Sequence, residues 1–117
     1  MELKKMKRGE IYFADLDPTI SAEIKKKRPV LIVSNDANNK IAKTIIILPI
    51  TSNTKKIYPF EVFIKTRDSG LPKNSKAQCH QIRTISKIRM QGNLVGQLNH
   101  GTMRQIDYAI KIHLDLT

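Results

Sequence analysis

The sequence contains a single cysteine, Cys79, among its 117 residues. One thiol cannot form an internal disulfide framework, and it cannot build the cysteine clusters that hold structural zinc. Small disulfide-rich secreted domains and zinc-ribbon proteins are therefore excluded. We expect a cytosolic protein that needs no metal ion.

Long hydrophobic runs are also missing. The apolar segment at residues 45–50 (IIILPI) is far shorter than the roughly 20 residues needed to cross a bilayer. The basic start (MELKK) is followed by Arg8, Gly9 and Glu10, not by the apolar stretch of a secretory signal. We expect a cytoplasmic protein with no membrane partner. No repeat or linker is evident, so residues 1–117 should form one domain.

Charge of one sign dominates the sequence. It has 21 lysines and arginines against 10 acidic residues, a formal net charge of +11 and a pI near 10.0. Such a field attracts polyanions and raises their rate of encounter. Nucleic acid, an acidic protein or an anionic membrane surface are the candidate partners, and the short apolar runs disfavour the membrane.

Short β-prone segments separated by turn residues run along most of the chain. Turn chemistry is found at residues 35–39 (NDANN) and 69–72 (SGLP), and residues 86–90 (SKIRM) could begin a short helical turn. The predicted strands are at residues 11–16, 30–33, 44–48, 60–65, 75–84 and 94–98.

One helix is predicted at the C-terminal end. Asn99 can cap it, and Met103, Ile106, Ile110 and Leu114 recur at helical spacing. Many short strands followed by one amphipathic helix predict a mainly β protein, a small and strongly bent sheet or barrel with the helix packed on it.

Several short blocks, in their order and spacing, resemble the MazF/PemK toxin family of type II toxin–antitoxin systems. The resemblance covers about residues 7–116, and it includes Glu23 five positions before Arg28. The blocks are residues 8–12 (RGEIY), 15–19 (DLDPT), 28–36 (RPVLIVSND), 48–52 (LPITS), 58–62 (YPFEV) and 81–85 (QIRTI).

This resemblance implies an SH3-like barrel that pairs into a homodimer. It also implies metal-independent, sequence-specific cleavage of single-stranded RNA, inhibited by a cognate antitoxin with an acidic, partly disordered tail. Cleavage of this kind uses the substrate's own 2′-hydroxyl as nucleophile and leaves 2′,3′-cyclic phosphate and 5′-hydroxyl ends. No cofactor is required.

The expected catalytic residues are Glu23, Arg28 and Thr51. A carboxylate beside a polyanion has its pKa raised towards neutrality, which suits Glu23 as general base, although the neighbouring lysines oppose that shift. The planar guanidinium of Arg28 suits bidentate contact with a phosphate. Its high intrinsic pKa makes it a poor acid, although the resemblance implies an acid role for the matching arginine in some members. Thr51 can donate its hydroxyl to a non-bridging oxygen.

His80 is a further catalytic candidate, because it stands where related sequences often carry a carboxylate. The imidazole of a histidine can give or take a proton under physiological conditions, so His80 could act as the general base, or as the general acid in place of Arg28. Gln78 is another departure from the family pattern, as is the Ser21-Ala22 pair before Glu23, so the identities of acid and base stay open.

Basic and polar residues around these positions are expected to contact the RNA. If the lysines and Arg83 neutralise about five phosphates, affinity should fall about a hundredfold between roughly 50 and 200 mM salt. Tyr58 and Phe60 could stack on bases, but aromatic residues more often fill a core or a dimer interface. The expected RNA-binding residues are Lys25, Lys26, Lys27, Ser52, Asn53, Lys55, Lys56, Gln78, Gln81 and Arg83.

Other interpretations compete with this one. Without the resemblance, Glu23 reads as a solvated loop carboxylate, and Thr51 as a turn residue that hydrogen-bonds its own backbone. A CcdB-like relative would share the architecture but bind DNA gyrase and cut nothing. A catalytically degenerate relative would bind RNA or antitoxin only, as the residues at Gln78 and His80 could indicate.

Overall fold

The computed structural model describes residues 5–16 and 27–116. Within them, seven strands form one antiparallel sheet whose hydrogen-bonded order is β4, β5, β3, β2, β1, β7, with β6 also paired to β3. The strands are β1 (Glu10–Asp15), β2 (Lys27–Ile32), β3 (Thr44–Thr51), β4 (Glu61–Ile64), β5 (Ser75–Gln78), β6 (Arg83–Ser86) and β7 (Met90–Gln97).

The central strand β3 has different neighbours along its length. Its middle pairs with β2 on one edge, while on the other edge its first half pairs with β6 and its end with β5. The prediction of one strand over residues 75–84 was therefore wrong. Ile47 of β3 pairs with Arg83 of β6, and Ile50 of β3 pairs with Ala77 of β5. Three residues along β3 therefore correspond to six residues along the segment that contains β5 and β6. A 3-10 turn, Cys79–Gln81, takes up the extra residues and separates β5 from β6.

In the described ranges, three α-helices lie between and after the strands: α1 (Asp36–Ile41), α2 (Thr66–Ser69) and α3 (His100–His113). Residues 35–39 were predicted as a turn, but they start α1, because the Asn35 side chain accepts a hydrogen bond from the Asn38 N–H and caps the helix. A 3-10 turn at Lys87–Arg89 confirms the predicted helical turn after residue 86.

The predicted C-terminal helix is confirmed as α3. Asn99 caps it by accepting from the Thr102 N–H, and Met103, Ile106 and Ala109 form its buried face. Leu114, in contrast, lies just beyond the helix and is exposed. At its C-terminal half, Asp107 accepts a hydrogen bond from the Arg8 guanidinium, which ties the helix to the start of β1.

The buried side chains form two hydrophobic clusters, which follow from the period-2 alternation of the strands. One contains Leu48, Ile50 and Ala77 and packs against Ile106 of α3. The other contains Val30, Ile45 and Ile47 with further apolar residues of β1, β6 and β7.

None of the helices in the described part of the chain is both long and apolar enough to cross a membrane.

Candidate nucleic-acid interface

The register of β2 against β3 brings Arg28 and Thr51 together. Val30 pairs with Pro49, and the two strands are antiparallel. Continuing this register by two residues places Arg28 opposite Thr51, and the alternation of strand side chains puts both on the face that carries Val30 and Pro49. Two residues 23 positions apart in the sequence therefore belong to one surface site.

These two residues line a cavity of about 410 Å³, which we call the Arg28 groove. Four of its lining residues were predicted for catalysis or RNA binding besides Arg28: Thr51, Gln78, Gln81 and Arg83. Sequence reasoning missed Leu16 and Pro49, which form the apolar part of the lining. Pro49 lies within the block at residues 48–52 that carries the family resemblance, so the sequence did contain a signal for it. Leu16 ends a predicted strand, and nothing in the sequence distinguishes it from other strand ends.

The Arg28 groove is cationic. Two guanidinium groups, of Arg28 and Arg83, line it, and no carboxylate does so among the described residues. In that same part of the chain, neither arginine has a side-chain hydrogen bond or salt bridge. Guanidinium groups that line a cavity with an apolar part can bind phosphate oxygens bidentately.

The Thr51 hydroxyl is held in place from one side. Its Oγ1 accepts a hydrogen bond from the Asn53 N–H at 3.2 Å. This is the contact expected of a turn residue, the alternative interpretation of Thr51 given above. A hydroxyl that accepts one bond still has its own proton to give. The turn contact therefore orients Thr51 and leaves its O–H available as a donor.

The 3-10 turn Cys79–Gln81 sends neighbouring side chains in different directions. Gln78 and Gln81 line the Arg28 groove, whereas Cys79 is buried in the cluster against α3. His80 does not line the groove. The strict alternation of a strand would have put residues 78 and 80 on one face, and the turn breaks that alternation.

His80 instead packs beside the end of α3. Its ring makes an edge contact with Phe60, with centroids 4.5 Å apart, and lies 6.0 Å from the ring of His113. Phe60 in turn stacks on Tyr58 with centroids 5.4 Å apart. The Nδ1 atom of His80 is buried and has no hydrogen-bond partner in the described structure. The structure therefore does not bring His80 together with Arg28 and Thr51.

The other described residues that were predicted to contact RNA are exposed but do not line the Arg28 groove. Ser52 and Asn53 follow Thr51 directly and are exposed, as are Lys55 and Lys56 in the loop that continues from them. The ammonium of Lys56 lies 5.3 Å from the centroid of the Tyr58 ring. Lys27 is exposed at the start of β2, immediately before Arg28.

A buried ion pair adjoins the Arg28 groove. Lys76 pairs with Thr51 across β3 and β5, and its Nζ donates to Glu61 at 3.0 Å and to the Lys56 carbonyl at 2.7 Å. Burial raises the pKa of Glu61, but hydrogen bonds from the Tyr58 N–H and from Lys76 outweigh it, so the pKa lies below its ordinary value. This pair is satisfied within the protein.

Burial shifts the pKa of two further groups. It raises the pKa of the Cys79 thiol to about 12, with a smaller contribution from the negative charge of Glu61. It also raises the pKa of Tyr12 to about 12, helped by Glu10. Neither group lines the Arg28 groove, and both stay protonated at neutral pH.

Three predicted site residues, Glu23, Lys25 and Lys26, lie outside the described residues, as does the Ser21-Ala22 pair. The described residues contain no group of three or more histidine, cysteine or acidic side chains placed to hold a metal ion.

The fold and the Arg28 groove define a small, cationic, antiparallel β protein with a surface suited to a polyanion. Residues 7–114 match the family described as PemK-like, MazF-like toxin of type II toxin-antitoxin system. The chain belongs to that family.

Named relatives agree with this assignment. The chain is 40% identical over 116 residues to endoribonuclease MazF9 of Mycobacterium tuberculosis, covering 95% of this chain and 98% of the relative. It is 37% identical to endoribonuclease EndoA of Bacillus subtilis, covering 95% and 96%.

Solved structures match the fold as well. A mycobacterial endoribonuclease in complex with its cognate antitoxin superimposes with a TM-score of 0.79 at 27% identity, covering 96% of this chain and 97% of that one. A MazE-MazF structure from Deinococcus radiodurans gives a TM-score of 0.79 at 18% identity, covering 97% of this chain and all of that one, and so supports the fold alone. The architecture is mainly antiparallel β sheet with a C-terminal helix.

Proposed function

We propose that this chain is a toxin endoribonuclease that cuts single-stranded RNA in the Arg28 groove. The observation that carries the proposal is the convergence of Arg28, Thr51 and Arg83 from three different strands onto one cavity lined by no described carboxylate. The relatives named as endoribonucleases cover nearly the whole chain. A cytoplasmic location is part of the proposal, because mRNA is the substrate.

The reaction needs no metal ion in this proposal. The substrate 2′-oxygen attacks the adjacent phosphorus, and the bond from phosphorus to the 5′-oxygen breaks with its electron pair going to that oxygen. The base takes the proton of the 2′-hydroxyl and the leaving 5′-oxygen takes a proton from water in the open groove, so the products are a 2′,3′-cyclic phosphate and a 5′-hydroxyl. The protein supplies a base and donors for the phosphate oxygens.

Arg28 and Thr51 supply the donors. The guanidinium of Arg28 offers two parallel N–H groups to the phosphate, and the Thr51 hydroxyl donates a third bond. Loss of one such donor typically lowers the rate about 100-fold to 1,000-fold, because charge on these oxygens rises in the transition state. Arg83, Gln78 and Gln81 hold the RNA on either side of the reacting phosphate.

Glu23 is the proposed general base. It precedes Arg28 by five residues in the sequence, and His80, the other candidate, packs against Phe60 and His113 outside the Arg28 groove. A carboxylate next to bound RNA has its pKa raised by the phosphates, which brings it nearer to the range in which a general base is effective.

Mapping of cut ends tests the proposal. Purified protein is incubated with a labelled single-stranded RNA library in EDTA, beside Arg28→Ala and the matched control Arg67→Ala, an exposed arginine that does not line the Arg28 groove. We expect cuts at a short motif, with cyclic-phosphate and 5′-hydroxyl ends, from the wild type and Arg67→Ala but not from Arg28→Ala.

The outcomes separate the rival functions. Salt-sensitive RNA binding without cleavage would indicate a degenerate relative, and absence of both with binding to DNA gyrase would indicate a CcdB-like function. Cleavage that requires added metal would contradict the proposed chemistry.

The proposed inhibitor is an acidic antitoxin segment that occupies the Arg28 groove. One matching structure is a mycobacterial endoribonuclease in complex with its cognate antitoxin, and a cationic groove attracts acidic peptide and RNA alike. An acidic antitoxin peptide should therefore compete with RNA in a binding titration. Unchanged RNA affinity at saturating peptide would contradict a shared site.

We also propose that the sheet is an SH3-like barrel of the MazF type and that two chains pair. Large apolar side chains are exposed at the end of α3 and beyond it: Tyr108, Ile112, Leu114 and Leu116. Covering such a patch with a second copy removes it from water. Light scattering should give the mass of a dimer, and a monomer at micromolar concentration would contradict this part.

A further inference from the structure

A second cationic cavity lies at the other end of β3 from the Arg28 groove. Its volume is about 550 Å³, and we call it the lysine cavity because five lysines line it: Lys5, Lys7, Lys40, Lys43 and Lys87. Asp36 is the one acidic residue in its lining, and its carboxylate already accepts bonds from the Arg8 N–H and the Asn39 side chain. The cavity therefore carries a net positive charge.

Lys87 is the unusual member of this set. Only 6% of its surface is exposed, yet its ammonium forms no salt bridge with any described carboxylate. Its one acceptor among the described residues is the main-chain carbonyl of Asn39. A buried cation without a counter-ion is costly, and an anion bound in the cavity would offset that cost.

The two cavities lie at opposite ends of β6. Arg83, the first residue of β6, lines the Arg28 groove, and Lys87, the residue directly after β6, lines the lysine cavity. Four residues of strand at about 3.3 Å each separate their Cα atoms by about 13 Å at most. A single-stranded nucleic acid needs only a few nucleotides to span that distance, and single-strand sites of about 4–16 nucleotides are ordinary.

We propose that the lysine cavity is a second RNA site, in which the backbone phosphates of a strand leaving the Arg28 groove past Arg83 are bound by Lys40, Lys43 and Lys87. This inference rests on the proposed RNA-binding function. It predicts that a long RNA binds more tightly than one that fills only the groove, through contacts that carry no sequence information.

Binding of two RNA lengths tests the inference. The probes are fully 2′-O-methylated, so that they offer no free 2′-hydroxyl for cleavage, and they share one cleavage motif within about 8 or about 24 nucleotides. The variant is Lys40→Ala/Lys43→Ala, which removes two exposed cations and leaves the buried Lys87 in place. The matched control is Lys65→Ala/Lys73→Ala, two exposed lysines that line neither cavity.

For the long RNA, we expect the Lys40/Lys43 variant to lose about fivefold to tenfold in affinity near 0.1 M salt. The slope of log affinity against log salt should become shallower by about 1.4, since two phosphate contacts are lost. The short RNA should bind the variant and the wild type within about twofold, and the control should leave the affinity for both RNAs within about twofold.

Two results would overturn the inference: an unchanged affinity and slope for the long RNA, or an equal loss for both lengths. A variant that binds an acidic peptide less well but keeps its full RNA affinity would also overturn it and assign the cavity to a protein partner. Failure of the short RNA to bind the wild type is a different result, because it contradicts the proposed function of the Arg28 groove itself.

Discussion

Two cations flank Thr51 from opposite sides, and their surroundings differ. Arg28, towards β2, has no carboxylate partner among the described residues. Lys76, paired with Thr51 through β5, is bonded to Glu61 and to a main-chain carbonyl. A cation whose bonds are satisfied inside the fold contributes to folding, whereas one with unused donors in a cavity is available to a ligand. Position on the sheet alone does not distinguish the two roles.

The largest expected effect concerns the buried ion pair between Lys76 and Glu61. Removing Lys76 as Lys76→Met leaves the buried Glu61 carboxylate without its cation, which should cost about 3–5 kcal/mol of unfolding free energy. Urea denaturation measures this loss, and RNA cleavage per folded molecule should change little. The double variant Lys76→Met/Glu61→Leu should recover much of the stability. A large loss of cleavage in fully folded protein would mean that Lys76 belongs to the groove after all.

Thr51 gives the next effect. Thr51→Val removes the donor to the phosphate and should lower the single-turnover cleavage rate about tenfold to a thousandfold. Thr51→Ser keeps the hydroxyl and the acceptor for the Asn53 N–H, so its rate should stay close to that of the wild type. Equal losses in both variants would indicate that the methyl group matters and the hydroxyl does not.

Acid should weaken the ion pair between Lys76 and Glu61. The pKa of Glu61 is below its ordinary value in the folded protein, so its contribution to stability is full above the unfolded-state pKa near 4.5 and is lost as the pH falls through the lower folded-state value. Unfolding free energies measured from about pH 6 down to about pH 3 should therefore fall less steeply in Glu61→Gln. Parallel curves for the two proteins would contradict this assignment.

The smallest expected effect concerns Cys79, which is buried on the α3 side and has a pKa raised to about 12. Its thiol should not react with iodoacetamide at neutral pH in the native protein, and should react fully after unfolding. Mass spectrometry before and after denaturation measures both states. Rapid labelling of the native protein would show that the packing between the 3-10 turn and α3 opens readily.

Much of the fold was predictable because its signals are local. The β-prone composition of residues 11–16 and 44–48 and the cap at Asn99 are signals carried by neighbouring residues, and β1, β3 and α3 are where they were expected. The split between β5 and β6 was not predictable, because it arises from the pairing of β3 with two strands in different registers. The helix α1 was missed since its asparagines have low helix propensity and its cap resembles a turn.

The candidate site was also only partly predictable from the sequence. Arg28 and Thr51 could be selected through the family resemblance, and the sheet register places them together. A single strand over residues 75–84, as predicted, would have put the side chains of Gln78 and His80 on one face of the sheet. The 3-10 turn sends them apart, and no local signal in the sequence shows that turn.

The most direct test of the account compares single-turnover cleavage by Arg28→Ala and His80→Asn across pH, with the folded fraction of each variant measured by circular dichroism. We predict that Arg28→Ala loses about 100-fold to 1,000-fold in rate. His80→Asn should keep the wild-type rate within about threefold and the same pH dependence, because the proposed mechanism assigns no proton transfer to His80, which does not line the Arg28 groove. The reverse pattern, a folded His80→Asn protein that has lost its activity beside an active Arg28→Ala, would contradict the placement of the reaction in the Arg28 groove.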